Sequence, residues 1–357
     1  MKRQEEKLYV DVYPIVRNKK PMLHKILDYL RIGRAQTYPA DLFLVLVPFL
    51  YGRLDLIQAA VLSVMVWFGH LLSFGQNSLL DSCIITEKGK PPPDFTDPYK
   101  QHHPLIKGLV SLHEAKNVIL WGLGIATTIF VAFTLLAAEN LPFAIASLFL
   151  YYVWGSLYNE GLSKESPFGF LSISLCFTFL ATWAWFLSHN TINMLGLFYV
   201  AYVSCTILFQ IAYSGFIKEL EIKERSNLLV KMGARVDAEN GLKRFVPGKS
   251  WIFAWFVKGL NLLFGALLLL ENFSMVGLVM FALLSVVILH RLHQLTKPRP
   301  YIRNKELLSM SVMEILTIYL VPWLMLDPVT TIILEVIGVA YFFGINKLIW
   351  TTSYPAV

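Results

Sequence analysis

Long apolar stretches alternate with shorter polar segments along almost the whole chain. Ten of them, from residue 37 to residue 350, approach the roughly 20 residues that a helix needs to cross about 30 Å of hydrocarbon. We therefore predict membrane-spanning helices at 37–52, 55–75, 117–137, 142–158, 168–187, 193–213, 251–270, 275–291, 309–326 and 328–348. Asp327-Pro328 separates the last two, which form either two helices or one kinked segment, so the chain has nine to ten spans.

Composition supports this interpretation. The mean hydropathy is +0.56, 56% of the residues are apolar and only 15% are charged, outside the usual range of a soluble domain of 357 residues. The predicted fold class is an all-α polytopic membrane protein. Residues 1–36 are charged and lack a long apolar core, so we expect a basic cytoplasmic N-terminal segment and no signal peptide. Residues 37–350 then form a single transmembrane domain.

Lys and Arg are distributed unequally between the two ends of the predicted helices. Nine of the 31 basic residues precede the first span, and five, eight and five lie at 88–116, 218–249 and 291–305, whereas the opposite loops contain only Arg53. The N-terminus and these loops are therefore predicted to be cytoplasmic. Anionic lipid headgroups explain the net charge of +7, so no nucleic-acid partner is expected. The three cysteines have no CxxC spacing and indicate neither zinc nor a disulfide framework.

Acidic residues are concentrated in two of the predicted cytoplasmic loops, 76–116 and 214–250. The loops follow the second and the sixth span, so the chain divides into two halves that each deliver carboxylates to the same membrane face. Carboxylates beside a bilayer, mixed with Lys and His, are suited to holding a metal ion and a phosphorylated lipid. The alternative is that both loops are solvated segments whose charges only confer solubility.

The first acidic loop contains two pairs of possible metal ligands. Asn77 and Asp81 lie one turn apart if the second span continues as a helix, and their oxygens suit Mg²⁺. Asp94 and Asp97 form a second pair, after a Pro-rich run that interrupts any continuous helix. Possible donors to phosphate oxygens follow at Lys100, His102, His103 and Lys107.

This loop resembles the first signature of the UbiA superfamily of intramembrane prenyltransferases, N-D-x-x-D-x-x-x-D followed by R-P-L-x-x-G. Asn77 and Asp81 match its opening positions, and the stretch HPLIKG at 103–108 matches its end. The family places this motif directly after its second span, as here. Ser78 replaces the second position, and the Pro-rich insertion leaves Asp94 or Asp97 as the replacement for the third carboxylate.

Two further segments are similar to the same family. Glu219, Glu224 and Arg225 resemble its second motif, D-x-x-x-D followed by a basic residue, although Glu replaces Asp and the spacing is one residue longer. An ordinary charged helix is the alternative. Tyr158 and Lys164 match the family's Tyr and Lys after the fourth span, with an interfacial Tyr and a positive-inside Lys as the alternative. Arg34, just before the first span, has the same ambiguity.

The resemblance implies two pseudo-repeated helical bundles around a central cavity, with cytoplasmic caps, in a multi-pass protein of the inner or plasma membrane. It implies a Mg²⁺-dependent prenyltransferase that moves an isoprenyl group from a polyprenyl diphosphate to a lipophilic acceptor. The implied metal ligands are Asn77, Asp81, Asp94, Asp97, Glu219 and Glu224. The implied catalytic residues are Asn77, Asp81, Tyr158, Glu219 and Glu224. The implied diphosphate contacts are Arg34, Lys100, His103, Lys107, Lys164 and Arg225.

Two other outcomes share this fold. Some members of the superfamily cyclise the prenyl chain without an acceptor, and a non-catalytic homologue would serve as a lipid-binding or scaffold subunit. Some polar residues lie well within predicted spans, among them His70, Gln210 and Lys258. Helix–helix hydrogen bonds are the expected role of such residues, and Lys258 is expected to extend toward the cytoplasmic edge.

Overall fold

The fold consists almost wholly of α-helices in the part of the chain that the computed structural model describes. That part comprises residues 22–53, 55–88, 103–159, 169–215, 217, 220, 228–239 and 242–350. The helices are α1 (Met22–Ile32), α2 (Tyr38–Gly52), α3 (Leu56–Lys88), α4 (Leu112–Ala137), α5 (Leu141–Leu157), α6 (Phe170–Ser188), α7 (Met194–Phe209), α8 (Leu228–Lys231), α9 (Ser250–Glu271), α10 (Met275–Leu295), α11 (Arg303–Met325) and α12 (Pro328–Trp350).

All ten predicted apolar stretches are helical, as α2–α7 and α9–α12. Within the described residues, seven helical segments are long and apolar enough to cross a membrane, namely Leu56–Leu80, Leu112–Ala137, Phe170–Ser188, Met194–Tyr213, Ser250–Glu271, Met275–Leu295 and Pro328–Ile349. Leu141–Leu157 and Val312–Met325 are shorter apolar helices. The predicted all-α polytopic fold class is confirmed.

Short polar residues cap three helices that follow tight connections. Asn140, Asn193 and Ser274 accept hydrogen bonds from backbone amides in the first turns of α5, α7 and α10, at 3.4, 2.9 and 3.2 Å. A carboxamide or hydroxyl at this position satisfies an amide that the helix itself leaves without a partner. Each cap lies in a short loop that the sequence places on the membrane face opposite the acidic loops.

The boundary between α11 and α12 is a true break. Asp327 Oδ1 accepts hydrogen bonds from the amides of Val329 and Thr330, both at 3.0 Å, and Pro328 opens the new helix. Proline fits the first turn because its missing N–H would have no helical partner there. The sequence around residue 327 therefore produces two helices, Arg303–Met325 and Pro328–Trp350.

The chain packs as two compact units. The first comprises Met1–Pro39, Val64–Phe130 and Val339–Ala356. Among its described residues, apolar side chains from α1, α3, α4 and the turn before α4 share one small core. This core consists of Ile32, Leu79, Leu105, Val110, Ala115 and Ile119.

The second unit comprises Ala40–Ser63 and Val131–Gly338 and has a core rich in aromatic side chains. Trp183, Trp185, Tyr199 and Tyr202 are among its largest fully buried side chains. The two tyrosine hydroxyls find backbone acceptors: Tyr202 donates to the carbonyl of Thr317 at 2.7 Å, and Tyr199 donates to that of Leu44. Hydrogen-bonded tyrosines bury large apolar area without leaving a hydroxyl unsatisfied.

A small three-stranded antiparallel sheet was not predicted from the sequence. Strands β1 (Arg235–Glu239) and β2 (Leu242–Val246) form a hairpin, and β3 (Arg299–Pro300) pairs with β2. Phe245 on β2 is buried under the guanidinium of Arg299, 4.4 Å from its ring centroid. The strands are short and rich in charge, so the apolar periodicity that revealed the helices gives no signal here.

Candidate active site

Helix α3 carries the first pair of predicted metal ligands. The apolar segment ends at Leu80, but the helix continues to Lys88, so Asn77 and Asp81 occupy successive turns of one helix. His70, Phe74 and Asn77 are spaced i, i+4 and i+7, which places them on one face. Asn77 is half-buried, while the side chain of Asp81 lies outside the described residues.

Arg34 occupies a left-handed corner between α1 and α2. Its backbone has φ 50° and ψ 46°, and no other non-glycine residue in the described part of the chain has positive φ. The carbonyl oxygen of Arg34 accepts hydrogen bonds from the hydroxyl of Thr37 at 2.9 Å and from Nε2 of His70 at 3.1 Å. Because a carbonyl can only accept, this contact places a proton on Nε2. The buried His70 thus has the structural hydrogen-bonding role expected of a polar residue in a span.

The side chain of Arg34 lies along the same face of α3. Its guanidinium carbon is 5.3 Å from the centroid of the Phe74 ring, within cation–π range. Phe74 lies one turn after His70 and one turn before Asn77. Backbone and side chain of Arg34 are therefore both held against the helix that carries Asn77 and Asp81. A residue held in such a sparsely populated conformation requires support from its surroundings.

Close contacts press the corner onto α3. The hydroxyl of Ser78 donates to the carbonyl of Ile32 at 3.0 Å. A Cβ on Gly33 would lie 2.7 Å from the carbonyl oxygen of Leu71, closer than packed atoms approach. Only glycine fits between Ile32 and Arg34, and the serine that departs from the UbiA motif ties the corner to α3.

The stretch that matches the end of the first UbiA signature forms a tight turn. The carbonyl of His103 accepts from the amides of Ile106 and Lys107 at 3.0 and 3.1 Å, and its ring Nδ1 accepts from the amide of Leu105 at 3.4 Å. Gly108 closes the turn with φ +64°, a conformation that favours glycine. The turn fixes the backbone of the predicted diphosphate contacts His103 and Lys107.

This turn, the Arg34 corner and the Asn77 helix meet at one core. Leu105 in the turn, Ile32 two residues before Arg34, and Leu79 between Asn77 and Asp81 belong to the same buried apolar cluster. Segments more than 20 residues apart in sequence are thus brought together by burial of apolar area. The predicted site residues Arg34, Asn77, Asp81, His103 and Lys107 all belong to these segments, which lie within the first unit.

The remaining predicted site residues fall into two groups. Tyr158 is half-buried in the second unit, in a π-helical turn directly after α5. Another π-helical turn, Gln210–Gly215, precedes the second acidic motif, and such turns are frequent at functional sites.

The other predicted site residues lie outside the described part of the chain, namely Asp94, Asp97, Lys100, Lys164, Glu219, Glu224 and Arg225. Among the residues that are described, no three His, Cys, Asp or Glu side chains are grouped to hold a metal ion.

Lys258 behaves differently from the expectation. It is 1% exposed, and Nζ donates to Thr317 Oγ1 at 3.2 Å and lies 4.4 Å from the Phe209 ring centroid. Glu314, one turn before Thr317 on α11, interacts with it electrostatically. The side chain therefore connects α7, α9 and α11 inside the second unit. The expectation that it extends to the membrane edge is wrong, because interior partners satisfy the ammonium group.

Replacing Lys258 should show how much of its role is packing. We expect Lys258→Ala to lower the stability of the folded protein by about 2–5 kcal/mol, since it removes a fully buried chain and its contacts. Lys258→Met preserves most of the aliphatic volume and should cost less than about 1.5 kcal/mol. Thermal unfolding in nanodiscs measures both. Equal destabilisation by the two variants would show that the charge matters more than the packing.

Comparison with known proteins gives a structural match without a sequence match. No family profile and no curated protein matches the chain. Its structure is similar to digeranylgeranylglyceryl phosphate synthase in membranes, with a TM-score of 0.56, 16% identity, and coverage of 91% of this chain and 99% of that one. It is also similar to a UbiA homologue from Archaeoglobus fulgidus bound to GPP and Mg²⁺, with a TM-score of 0.53, 14% identity, and coverage of 84% and 99%.

A second structure of a UbiA homologue from the same organism, bound to DMAPP and Mg²⁺, matches with a TM-score of 0.50, 14% identity, and coverage of 90% and 99%. All three matches extend over most of both chains. This protein therefore has the same fold as these solved structures, two of which are UbiA homologues, in agreement with the fold that the sequence resemblance implied.

Proposed function

We propose that this protein is a Mg²⁺-dependent intramembrane prenyltransferase that moves an isoprenyl group from a polyprenyl diphosphate to a lipophilic acceptor. The observation that carries the proposal is the Arg34 corner, which contacts Phe74 on α3, the helix that carries Asn77 and Asp81. The strained backbone holds the Arg34 cation next to the helix that carries two possible metal ligands. A cation in this place suits the binding of an anion that is also bound by the metal ion.

The residue types at positions 77 and 81 suit a Mg²⁺ site in chemistry and in helical spacing. Asn77 and Asp81 offer an amide and a carboxylate oxygen from successive turns of α3, and Mg²⁺ prefers oxygen ligands. The proposed further ligands are Asp94, Asp97, Glu219 and Glu224. A bound Mg²⁺ would neutralise charge on the diphosphate and make it a better leaving group.

Basic side chains would hold the diphosphate itself. Arg34 can donate two parallel hydrogen bonds to phosphate oxygens, and its contact with Phe74 fixes the plane of the guanidinium. His103 and Lys107 would add donors from the turn at 103–108. Lys100, Lys164 and Arg225 complete the proposed set of diphosphate contacts.

The apolar helices would then separate the reacting carbon from water. As the bond between the isoprenyl carbon and the diphosphate oxygen breaks, the acceptor supplies the electron pair for the new bond and loses a proton. Exclusion of water favours the acceptor over hydrolysis. Tyr158 is proposed to lie near the reacting carbon. Solved proteins of the same fold that bind GPP or DMAPP with Mg²⁺ support this class of substrate.

Removing Mg²⁺ should abolish the reaction. We expect purified protein in nanodiscs to release diphosphate from a labelled prenyl diphosphate only with Mg²⁺ and a lipophilic acceptor. EDTA should reduce the rate to that of protein-free nanodiscs, and added Mg²⁺ should restore it, because the carboxylates alone would repel the diphosphate. Ca²⁺ is the matched control, since its larger radius and looser geometry fit the same oxygen ligands poorly.

The same assay separates the three functions that share this fold. Diphosphate release without an acceptor, together with a hydrocarbon product, would identify a terpene cyclase and contradict the proposal. No turnover across prenyl chain lengths and acceptors would identify a non-catalytic, lipid-binding or scaffold protein. Product that contains both the prenyl label and the acceptor supports transfer.

A further inference from the structure

Helix α1 buries a carboxylate and exposes apolar side chains, the reverse of a surface helix in a soluble protein. Asp28 is 1% exposed, whereas Met22, Leu23 and Ile26 are 79%, 64% and 45% exposed. Leu27 and Leu30, which are half-buried, continue the same apolar stripe. These five residues span about 140° of the helix at 100° per residue, so α1 turns one continuous apolar face away from the protein.

Polar contacts hold the inward face of α1 in place. Arg31 donates from Nη1 to Asp28 at 2.7 Å and from Nε to the carbonyl of Ile349 at 2.6 Å. Lys25 pairs with Glu114 at 3.1 Å. The inward face therefore satisfies its charges within the first unit, and the reversal of polarity is built into its contacts.

The contacts of α1 place it where the apolar helices end. Ile349 is the next-to-last residue of α12, and Glu114 lies in the first turn of α4. Ser78, which contacts the carbonyl of Ile32, lies three residues before Asp81, the first Asp, Glu, Lys or Arg of α3. All of these residues belong to the same compact unit. With the ten predicted spans, chain order puts these three helix ends on one membrane face, and α1 then lies at the level of the bilayer surface.

We propose that α1 is an interfacial helix, whose face of Met22, Leu23, Ile26, Leu27 and Leu30 is buried in the lipid of the bilayer that the protein spans. An amphipathic helix at this level buries its apolar face at the boundary between headgroups and acyl chains. Residues 1–36 carry nine basic and four acidic residues, which favours a leaflet with anionic headgroups. Because α1 leads directly into Gly33 and Arg34, its lipid contact would also hold the Arg34 corner at the membrane surface.

Photo-crosslinking of the full chain in nanodiscs that contain anionic lipid tests this placement. Ile26→p-benzoylphenylalanine should give lipid adducts by mass spectrometry. His24→p-benzoylphenylalanine is the matched control, because His24 is also exposed but lies on the opposite side of the apolar stripe. We expect several-fold more lipid adduct from position 26 than from position 24.

Other adducts would overturn the proposal. Crosslinking of position 26 to a second copy of the chain would identify a protein interface, and crosslinking to residues 1–21 would show that the chain covers its own face. Equal lipid adduct from positions 24 and 26, or none from either, would exclude a lipid-buried stripe.

Hydrogen exchange provides a second measurement that needs no crosslinker. In nanodiscs, the paired substitutions Leu23→Ser and Ile26→Ser should accelerate amide exchange across α1, since lipid burial of this face would be lost. His24→Ser should leave exchange unchanged. Unchanged exchange in the paired variant, with the rest of the protein still folded, would contradict lipid burial independently of any enzymatic activity.

Discussion

Asp81→Asn is expected to abolish prenyl transfer while leaving the fold intact. Asparagine matches aspartate in shape but lacks the negative charge that is proposed to bind Mg²⁺ one turn after Asn77 on α3. Loss of a metal that contributes several kcal/mol to the transition state lowers turnover by at least about 100-fold. Diphosphate release in nanodiscs with saturating Mg²⁺ measures the effect.

The opposite end of the same helix offers a matched control. Asp55 accepts hydrogen bonds from the amides of Ile57 and Gln58 at 3.0 and 2.9 Å, and so caps the start of α3. Asp55→Asn keeps this cap, because asparagine serves equally well there. We expect normal turnover in this variant and equal thermal stability in both. Near-normal turnover of Asp81→Asn would disprove the proposed metal site.

Arg34→Gly is expected to separate activity from stability. Turnover should fall by about 10- to 100-fold, since charge-assisted hydrogen bonds to a buried anion contribute about 1.5–3 kcal/mol. Stability should instead exceed that of Arg34→Ala by about 1 kcal/mol, because φ 50° is unfavourable for every residue except glycine. Turnover and thermal unfolding of the same preparations measure the two effects.

Arg34→Ala is the control that isolates the backbone. Both variants lose the guanidinium and its contact with Phe74, but only alanine keeps a Cβ in the left-handed conformation. Wild-type turnover in either variant would remove Arg34 from the proposed diphosphate contacts. If Arg34→Gly is no more stable than Arg34→Ala, the corner stores no strain, and its conformation has no functional meaning.

The helices of the fold could be predicted because their signals are local. A span needs only consecutive apolar residues, and its ends need only a cap such as Asn193 or Asp327 nearby in the chain. The sequence leaves nine or ten spans open because Pro328, directly after Asp327, permits either a kink or a new helix. The hydrogen bonds from Val329 and Thr330 to Asp327 decide for a new helix.

The motif at 103–108 shows a different relation between sequence and structure. Its similarity to the UbiA signature could be recognised without any account of why Pro104 and Gly108 stand where they do. The structure supplies the reason: the chain reverses in a tight turn, Gly108 has positive φ, and Leu105 enters the core beside Leu79. The residues that match the signature therefore form the turn and anchor it in the core of the first unit. This turn then fixes the backbone positions of His103 and Lys107.

Three features could not be predicted from the sequence, because each depends on contacts with residues that are distant in the chain. The stripe on α1 is visible in the sequence, but periodicity alone does not say which face of a helix is buried. The pairing of β2 with β3 joins residues more than 50 positions apart. Lys258 reads as a residue at a membrane edge until Thr317 and Phe209 are seen to surround it.

The sequence by itself determined the apolar spans, the caps that separate them, the two acidic loops and the motifs within those loops. These features depend on residues close together in the chain, where helix geometry relates spacing directly to position. Only the tertiary structure decided that the carbonyl of Arg34 meets His70, 36 residues away, and that its guanidinium meets Phe74. Burial of apolar area stabilises many possible pairings of side chains and does not distinguish between them. Close packing in the folded chain selects the pairings whose shapes fit together.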